Sequence, residues 1–233
     1  MKKLNFIGIG GATNIELGGN CCYLKDGDNL LILDMCEGAT ERLQKEYAFN
    51  DIKNIYVVIT HTHYDHIAGL GVFIWYCNFN LNISPKIIYS NFKYKRHIKM
   101  LLKLTGVDKK YVEFIRDSLF KINDLTLDMQ PTTHTPKLQC FGIMFENKDG
   151  KYYYTGDTND IDYLRKICED NSVKKIYTEV ATETYDVHIK YDDVVNLDKE
   201  KLVLMHFDTI ELYNKARKDG FEIACKKGSD INE

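Results

Sequence analysis

The run Ile55-Tyr56-Val57-Val58-Ile59-Thr60-His61-Thr62-His63-Tyr64-Asp65-His66 changes character in its middle. The first half is apolar and rich in β-branched residues, the composition of a buried strand. The second half sets three imidazoles and a carboxylate within six positions. A solvated loop does not need that density of nitrogen and oxygen donors, whereas a metal centre does. His61 and His63 alternate on an extended segment and project to one side. Asp65 and His66 fall where the chain begins to coil and can reach a neighbouring position. One loop can therefore serve two ions.

Outward from this run, the pattern predicts strands at 4–7, 21–24 and 30–34, a helix over 39–47, the strand 55–59, and an apolar helix over 70–79 that begins where the donors end. A strand at 86–89, a basic helix over 94–104, a second helix over 109–118 and a strand at 125–129 follow. Residues 141–145 and 152–154 flank Lys148-Asp149-Gly150, a hairpin signal. The last third alternates helix and strand at 161–169, 175–178, 191–197, 202–205 and 209–219. Such a series predicts an α/β (α+β) chain of two mixed sheets packed face to face with helices outside.

At 233 residues with no break in composition, one domain over 1–233 is expected. The net charge of -3, from 31 basic and 34 acidic residues, gives no global positive field for capturing long nucleic acid. The seven cysteines lack Cys-x-x-Cys spacing, and Met1-Lys2-Lys3-Leu4 opens no signal-like apolar stretch. Free thiols in a reducing cytoplasm are expected, bacterial or that of a host if the gene is phage-borne. No apolar run reaches the length that crosses a bilayer, so no membrane partner is expected.

Further donors must come from elsewhere. His134 lies in Pro131-Thr132-Thr133-His134-Thr135-Pro136, a loop stiffened by two of the three prolines. Asp157 follows strand 152–154 within Thr155-Gly156-Asp157-Thr158, where glycine permits a tight turn. His206 ends the apolar strand 202–205, where sites of α/β proteins usually lie. His97, inside Lys93-Tyr94-Lys95-Arg96-His97-Ile98-Lys99, belongs to a basic helix face. Gly8-Ile9-Gly10-Gly11 lacks the context of a phosphate cradle and reads as structural turn glycines.

In order, His61, His63, Asp65, His66, His134, Asp157 and His206 resemble the metallo-β-lactamase superfamily across nearly the whole chain. The resemblance implies an αββα sandwich with a dinuclear site at one edge. It assigns His61, His63 and His134 to a first metal, Asp65, His66 and His206 to a second, and Asp157 to a bridge between them. No cysteine stands beside these positions, unlike the commonest true lactamases, which argues against β-lactam hydrolysis. The segments Phe6-Ile7-Gly8-Ile9-Gly10-Gly11, Gly18-Gly19-Asn20-Cys21-Cys22-Tyr23-Leu24 and Leu31-Ile32-Leu33-Asp34-Met35-Cys36-Glu37-Gly38 resemble the opening of its ribonuclease Z branch. Glu179 is similar to the acidic member of that branch's His-Glu-Ala motif, with Thr178 in place of its His, and His188 to a histidine acting there as general acid.

That resemblance implies a metal-dependent phosphodiesterase. Two bridged divalent ions, zinc first and Mn2+ acceptable, lower the pKa of a shared water toward about 7 and supply a bridging hydroxide. Asp65 would position it, and His188, oriented by Glu179, would protonate the leaving alkoxide for about 10²- to 10⁴-fold. Transfer-RNA-processing members carry a long arm between the third ligand His and the bridging Asp. Here only a compact hairpin separates His134 from Asp157. The expected substrate is therefore a small nucleotide, as in arm-less relatives of the anti-Pycsar type that degrade cyclic nucleotides, with a homodimer as the expected assembly. Sixteen tyrosines, Tyr64, Tyr185 and Tyr191 among them, offer rings on which a base could stack. The alternatives are an RNA 3′-processing endonuclease and a thioesterase like glyoxalase II, which normally adds a C-terminal helical domain.

Overall fold

The computed structural model describes residues 4–46, 48–183 and 186–224. The first sheet runs β1 (Asn5–Gly8), β2 (Cys21–Asp26), β3 (Asn29–Leu33), β4 (Asn54–Val58), β5 (Lys86–Tyr89) and β6 (Glu113–Arg116) in spatial order. β1 to β3 form an antiparallel meander, and β3 to β6 pair in parallel. The second sheet holds β7 (Leu119–Ile122), β8 (Leu125–Thr132), β9 (Cys140–Asn147), β10 (Gly150–Tyr154), β11 (Val173–Val180), β12 (Leu202–Phe207) and β13 (Glu222–Ile223). It is antiparallel up to β10 and parallel beyond.

The helices are α1 (Ala39–Lys45), α2 (Tyr64–Ile67), α3 (Leu70–Asn80), α4 (Phe92–Leu104), α5 (Ile161–Glu169), α6 (Tyr191–Val194) and α7 (Ile210–Lys218). Together the elements make the expected αββα sandwich. Central β3 is buried at every position, with Leu30, Leu31, Ile32 and Leu33 all at most 1% exposed, because a strand covered on both faces reads as a continuous apolar run. Each such side chain contributes about 1.5–3 kcal/mol of burial. The two sheets meet through contacts such as Phe6 against Tyr177, ring centres 5.6 Å apart.

α4 shows why a strongly charged segment still folds as helix. Asn91 caps it by accepting the Lys93 N–H at 2.8 Å, and Tyr94, Ile98 and Leu102 recur every four residues as its buried stripe. α3 is different. It buries Leu70, Phe73, Ile74 and Cys77, yet it also turns Val72 and Phe79 outward, so it has no polar face.

Residues 109–118 do not form the expected helix. Lys109–Tyr111 make one 3-10 turn, and Glu113–Arg116 become β6, paired in register with Lys86–Tyr89. Tyr111, Phe114 and Ile115 sit at helical spacing, but the open edge of β5 supplies a ladder that local sequence does not encode. β7 was not expected, and α6 stops at Val194 rather than extending to 197. The six described cysteines are free and buried. Among the described residues no helix is long and apolar enough to cross a membrane.

The sheets are tied at one edge. Phe207 N–H donates to Ile9 O at 2.9 Å, Gly11 N–H to Phe207 O at 2.8 Å, and Phe141 N–H to Thr60 O at 3.0 Å. These bonds join the end of β12 to the residues after β1 and the start of β9 to the residues after β4, although each pair is distant in sequence.

Candidate metal centre

Thr60 to His63 follow the end of β4 as an irregular segment that is extended at His63, and the single turn of α2 then carries Asp65 and His66. His134 follows β8. Asp157 follows β10 through Gly156, whose φ of 59° and close approach admit only glycine: a Cβ there would lie 2.8 Å from Phe141 O. His206 sits inside β12 at φ 54°, where Glu179 pairs with Met205 and Val180 with Phe207, so the histidine is the extra residue of a bulge. Bulges re-aim side chains, and this one turns His206 toward the other donors.

The seven predicted donors come together in two groups that share Asp157. In the first, His63 Nδ1 lies 2.9 Å from His61 Nε2 and 3.1 Å from His134 Nε2, and Asp157 Oδ2 lies 3.8 and 3.9 Å from those two Nε2 atoms. In the second, His66 Nε2 lies 3.3 Å from Asp65 Oδ2 and 3.2 Å from Asp157 Oδ1, and His206 Nε2 is 3.3 Å from Asp65 Oδ2. His66 Nε2 and Asp157 Oδ1 are buried without a hydrogen bond. Buried polar atoms of this kind are costly unless something meets them. A divalent cation fits: the donors are imidazoles and carboxylates, converging from several sides on shared points.

The far nitrogens of His61, His66 and His134 are already engaged. His66 Nδ1 is 2.9 Å from Asp34 Oδ2, His134 Nδ1 meets Val187 O at 2.5 Å, and His61 Nδ1 is 3.1 Å from Thr60 Oγ1. The carbonyl can only accept, so His134 carries its proton on Nδ1 and leaves Nε2 free for a ligand bond. Burial drives His61 well below the usual imidazole range. Burial also opposes charge on His206, but the Asp157 carboxylate, the Asp65 carboxylate bonded to the ring and the Glu179 charge together outweigh it and raise that ring to about 9. A bound cation reverses that last direction by competing for the same nitrogen.

Asp34 is the residue that reading for metal donors overlooks. It directly follows β3 at φ 63°, is fully buried, and accepts the Thr60 N–H at 2.7 Å, the Thr60 hydroxyl, His66 Nδ1 and the Tyr154 hydroxyl at 3.3 Å. The available signal was an ionisable residue directly after four apolar ones, an expensive place for a charge without partners.

Glu179 and His188 also reach the site. His188 Nδ1 contacts Glu179 Oε2 at 2.6 Å, while Glu179 Oε1 accepts the Thr158 N–H. Burial and the nearby Asp157 charge raise Glu179 to about 7. Burial lowers His188, and the Glu179 carboxylate more than compensates, so its imidazole holds a proton more tightly than usual. The pair is best described as sharing one titrating proton. With His134 it forms a third group of potential donors.

A cleft of about 570 Å³ opens over the centre and is lined by Tyr64, Asp65, Asp157, His188 and His206 among others. Tyr64 stands 73% exposed at its mouth. Tyr191 offers no free ring: it is buried, its hydroxyl donates to Asp219 Oδ2 at 2.7 Å, and it packs against Phe221. The hydrophobic interior claims it because it begins α6. Tyr185 lies outside the described residues. His97 lies on α4, away from the donor groups.

Comparison with known proteins agrees with this geometry. The chain is 32% identical over 164 residues to a ribonuclease Z of Borreliella afzelii, covering 64% of this chain and 50% of that protein, so it spans about half the length of that relative. It is 24% identical over 229 residues to the anti-Pycsar protein Apyc1 of Paenibacillus harenae, covering 90% of this chain and 92% of that one. Its fold is similar to that of YhfI, a metallo-β-lactamase fold protein from Bacillus subtilis, with a TM-score of 0.74, 19% identity and 94% of each chain covered. The description "Anti-Pycsar protein Apyc1" matches residues 2–229, and on that match, with the fold and the gathered donors in agreement, the chain belongs to the Apyc1 family of metallo-β-lactamase fold proteins.

Proposed function

We propose that this protein is a dinuclear metal-dependent phosphodiesterase that hydrolyses a cyclic nucleotide. The observation that carries the reading is Asp157, whose two oxygens face the two donor groups at once. His61, His63 and His134 would hold one ion, and Asp65, His66 and His206 the other, with zinc best matched to the donors and Mn2+ compatible. When bound, such ions supply Lewis-acid stabilisation of phosphoryl oxygens and a hydroxide nucleophile at neutral pH.

The chain's own residues supply the rest. Asp65 reaches into the cleft and orients the attacking oxygen. The protonated His188 imidazole, held through Nδ1 by Glu179, directs Nε2 at the leaving oxygen and donates the proton that the alkoxide needs. In a 3′,5′-cyclic phosphate that leaving oxygen stays attached to the ribose, so its rebinding competes with hydrolysis and prompt protonation matters more. Tyr64 at the cleft mouth offers a ring for the base.

Between His134 and Asp157 the chain runs through β9, a tight turn and β10. This supports a small substrate over a long RNA. A homodimer is supported by α3, whose outward Val72, Trp75 and Phe79 form an apolar face on the surface. Purified, metal-loaded protein tested against 3′,5′-cyclic mononucleotides, cyclic dinucleotides and precursor transfer RNA decides the substrate. Release of nucleoside monophosphate from a cyclic mononucleotide is expected. Cleavage of the precursor RNA alone, or no turnover with two equivalents of metal retained, would overturn the reading.

A further inference from the structure

The net charge of the chain hides a strong local asymmetry. Residues 92–121 carry nine Lys or Arg against three Asp or Glu, in a protein whose total is -3. This segment comprises α4, the 3-10 turn, β6 and most of β7, and it lies at the β6 edge of the first sheet. Nothing in the proposed chemistry uses it.

Between the second half of α4 and β6 lies a hollow of about 370 Å³. Its floor is apolar: Leu102 and Val107 are buried, and Phe114 is half-buried. Its rim is cationic, with Lys99, Lys103 and Lys109, all exposed. The Lys99 ammonium lies 5.1 Å from the centre of the Phe114 ring. Asp108 is the acidic residue of the lining, and its carboxylate is committed to the Lys110 N–H at 3.0 Å and lies 3.9 Å from the Lys110 ammonium. The rim lysines are therefore left to meet an anion from outside.

We propose that this hollow binds a small amphiphilic anion, a carboxylate, phosphate or sulfonate carried on an apolar ring or short chain. The apolar body sits on Leu102, Val107 and Phe114, and the charge sits among Lys99, Lys103 and Lys109. The floor carries no polar side chain with which to recognise a nucleobase, so the ligand class differs from that of the metal cleft. A recessed hollow with charge at the rim suits a free molecule better than a bilayer surface, which a flat amphipathic face would meet.

The probe is 1-anilinonaphthalene-8-sulfonate, with laurate as competitor, titrated into the full-length protein. Saturable one-to-one fluorescence enhancement is expected, displaced by laurate and weakened as salt rises. Lys99→Glu with Lys103→Glu should weaken it at least tenfold while metal content and phosphodiesterase turnover stay unchanged. N-phenyl-1-naphthylamine, the uncharged analogue, should bind at least tenfold more weakly than the sulfonate. Equal binding of the two probes, indifference to the double substitution, or co-sedimentation with phosphatidylglycerol vesicles without any free-probe binding would each overturn the proposal.

Discussion

The Asp34 carboxylate and the His66 imidazole meet at 2.9 Å, Oδ2 to Nδ1, with both side chains fully buried. This contact fixes the ring so that Nε2 faces Asp65 and Asp157. Asparagine tolerates the left-handed backbone at position 34, so Asp34→Asn tests charge apart from strain. An amide NH2 cannot accept from both Thr60 and His66 as the carboxylate does. Metal affinity should fall about 10- to 100-fold, read by metal analysis after dialysis against a competing chelator. Asp34→Ala leaves several buried donors unmet and should cost about 3 kcal/mol or more in denaturant unfolding.

His188→Ala should lower kcat by about 10²- to 10⁴-fold while metal content stays near that of the parent. The loss should shrink with an aryl phosphodiester such as bis(p-nitrophenyl) phosphate, whose leaving group needs little protonation. An equal loss on both substrates would argue that His188 is not the acid.

Glu179→Gln separates orientation from charge. The carboxylate holds the His188 proton, so the acid form persists to higher pH in the parent. Activity that depends on that proton is present at low pH and lost as pH rises through the His188 value. Removing the charge lowers that value, so the alkaline limb of the kcat profile should shift to lower pH. An unmoved limb would separate the pair from the rate.

Chelation should abolish turnover and lower stability together, because the donors are positioned by the fold and bind the ion mainly in the folded state. At a hundredfold excess of metal over its dissociation constant, binding adds about 2.7 kcal/mol, worth about 5–10 °C in Tm for a chain of this size. Differential scanning calorimetry with and without chelator checks it.

Trp75→Glu with Phe79→Glu puts charge on the outer face of α3 without touching the inward Phe73, Ile74 or Cys77. If a second copy covers that face, sedimentation should report a monomer for the variant and a dimer for the parent. A parent that already sediments as a monomer removes the basis for the homodimer.

Different parts of the molecule were unequally legible. The order of donors from His61 to His206 was readable because metal chemistry demands a few residue types, and four of the seven stand within six positions. β9 and β10 were readable because a hairpin is a local structure. β6 was not: Phe114 and Ile115 suit a helix face as well as a strand, and the pairing with β5 that decides between them spans about 27 residues. Tyr191 looked available because its sequence neighbours are polar, whereas Phe221 and Asp219 cover it from the other end of α7.

The amino-acid order alone determined which side chains can bind a cation and which runs are buried strand, since both follow from residue chemistry and short periodicity. Only the folded chain decided that Asp34 steers His66 across 32 positions, that a bulge in β12 turns His206 inward, and that Asp157 faces both donor groups. Those outcomes depend on hydrogen-bond geometry between strands that meet only after the two sheets have packed, and no local window of sequence carries that information.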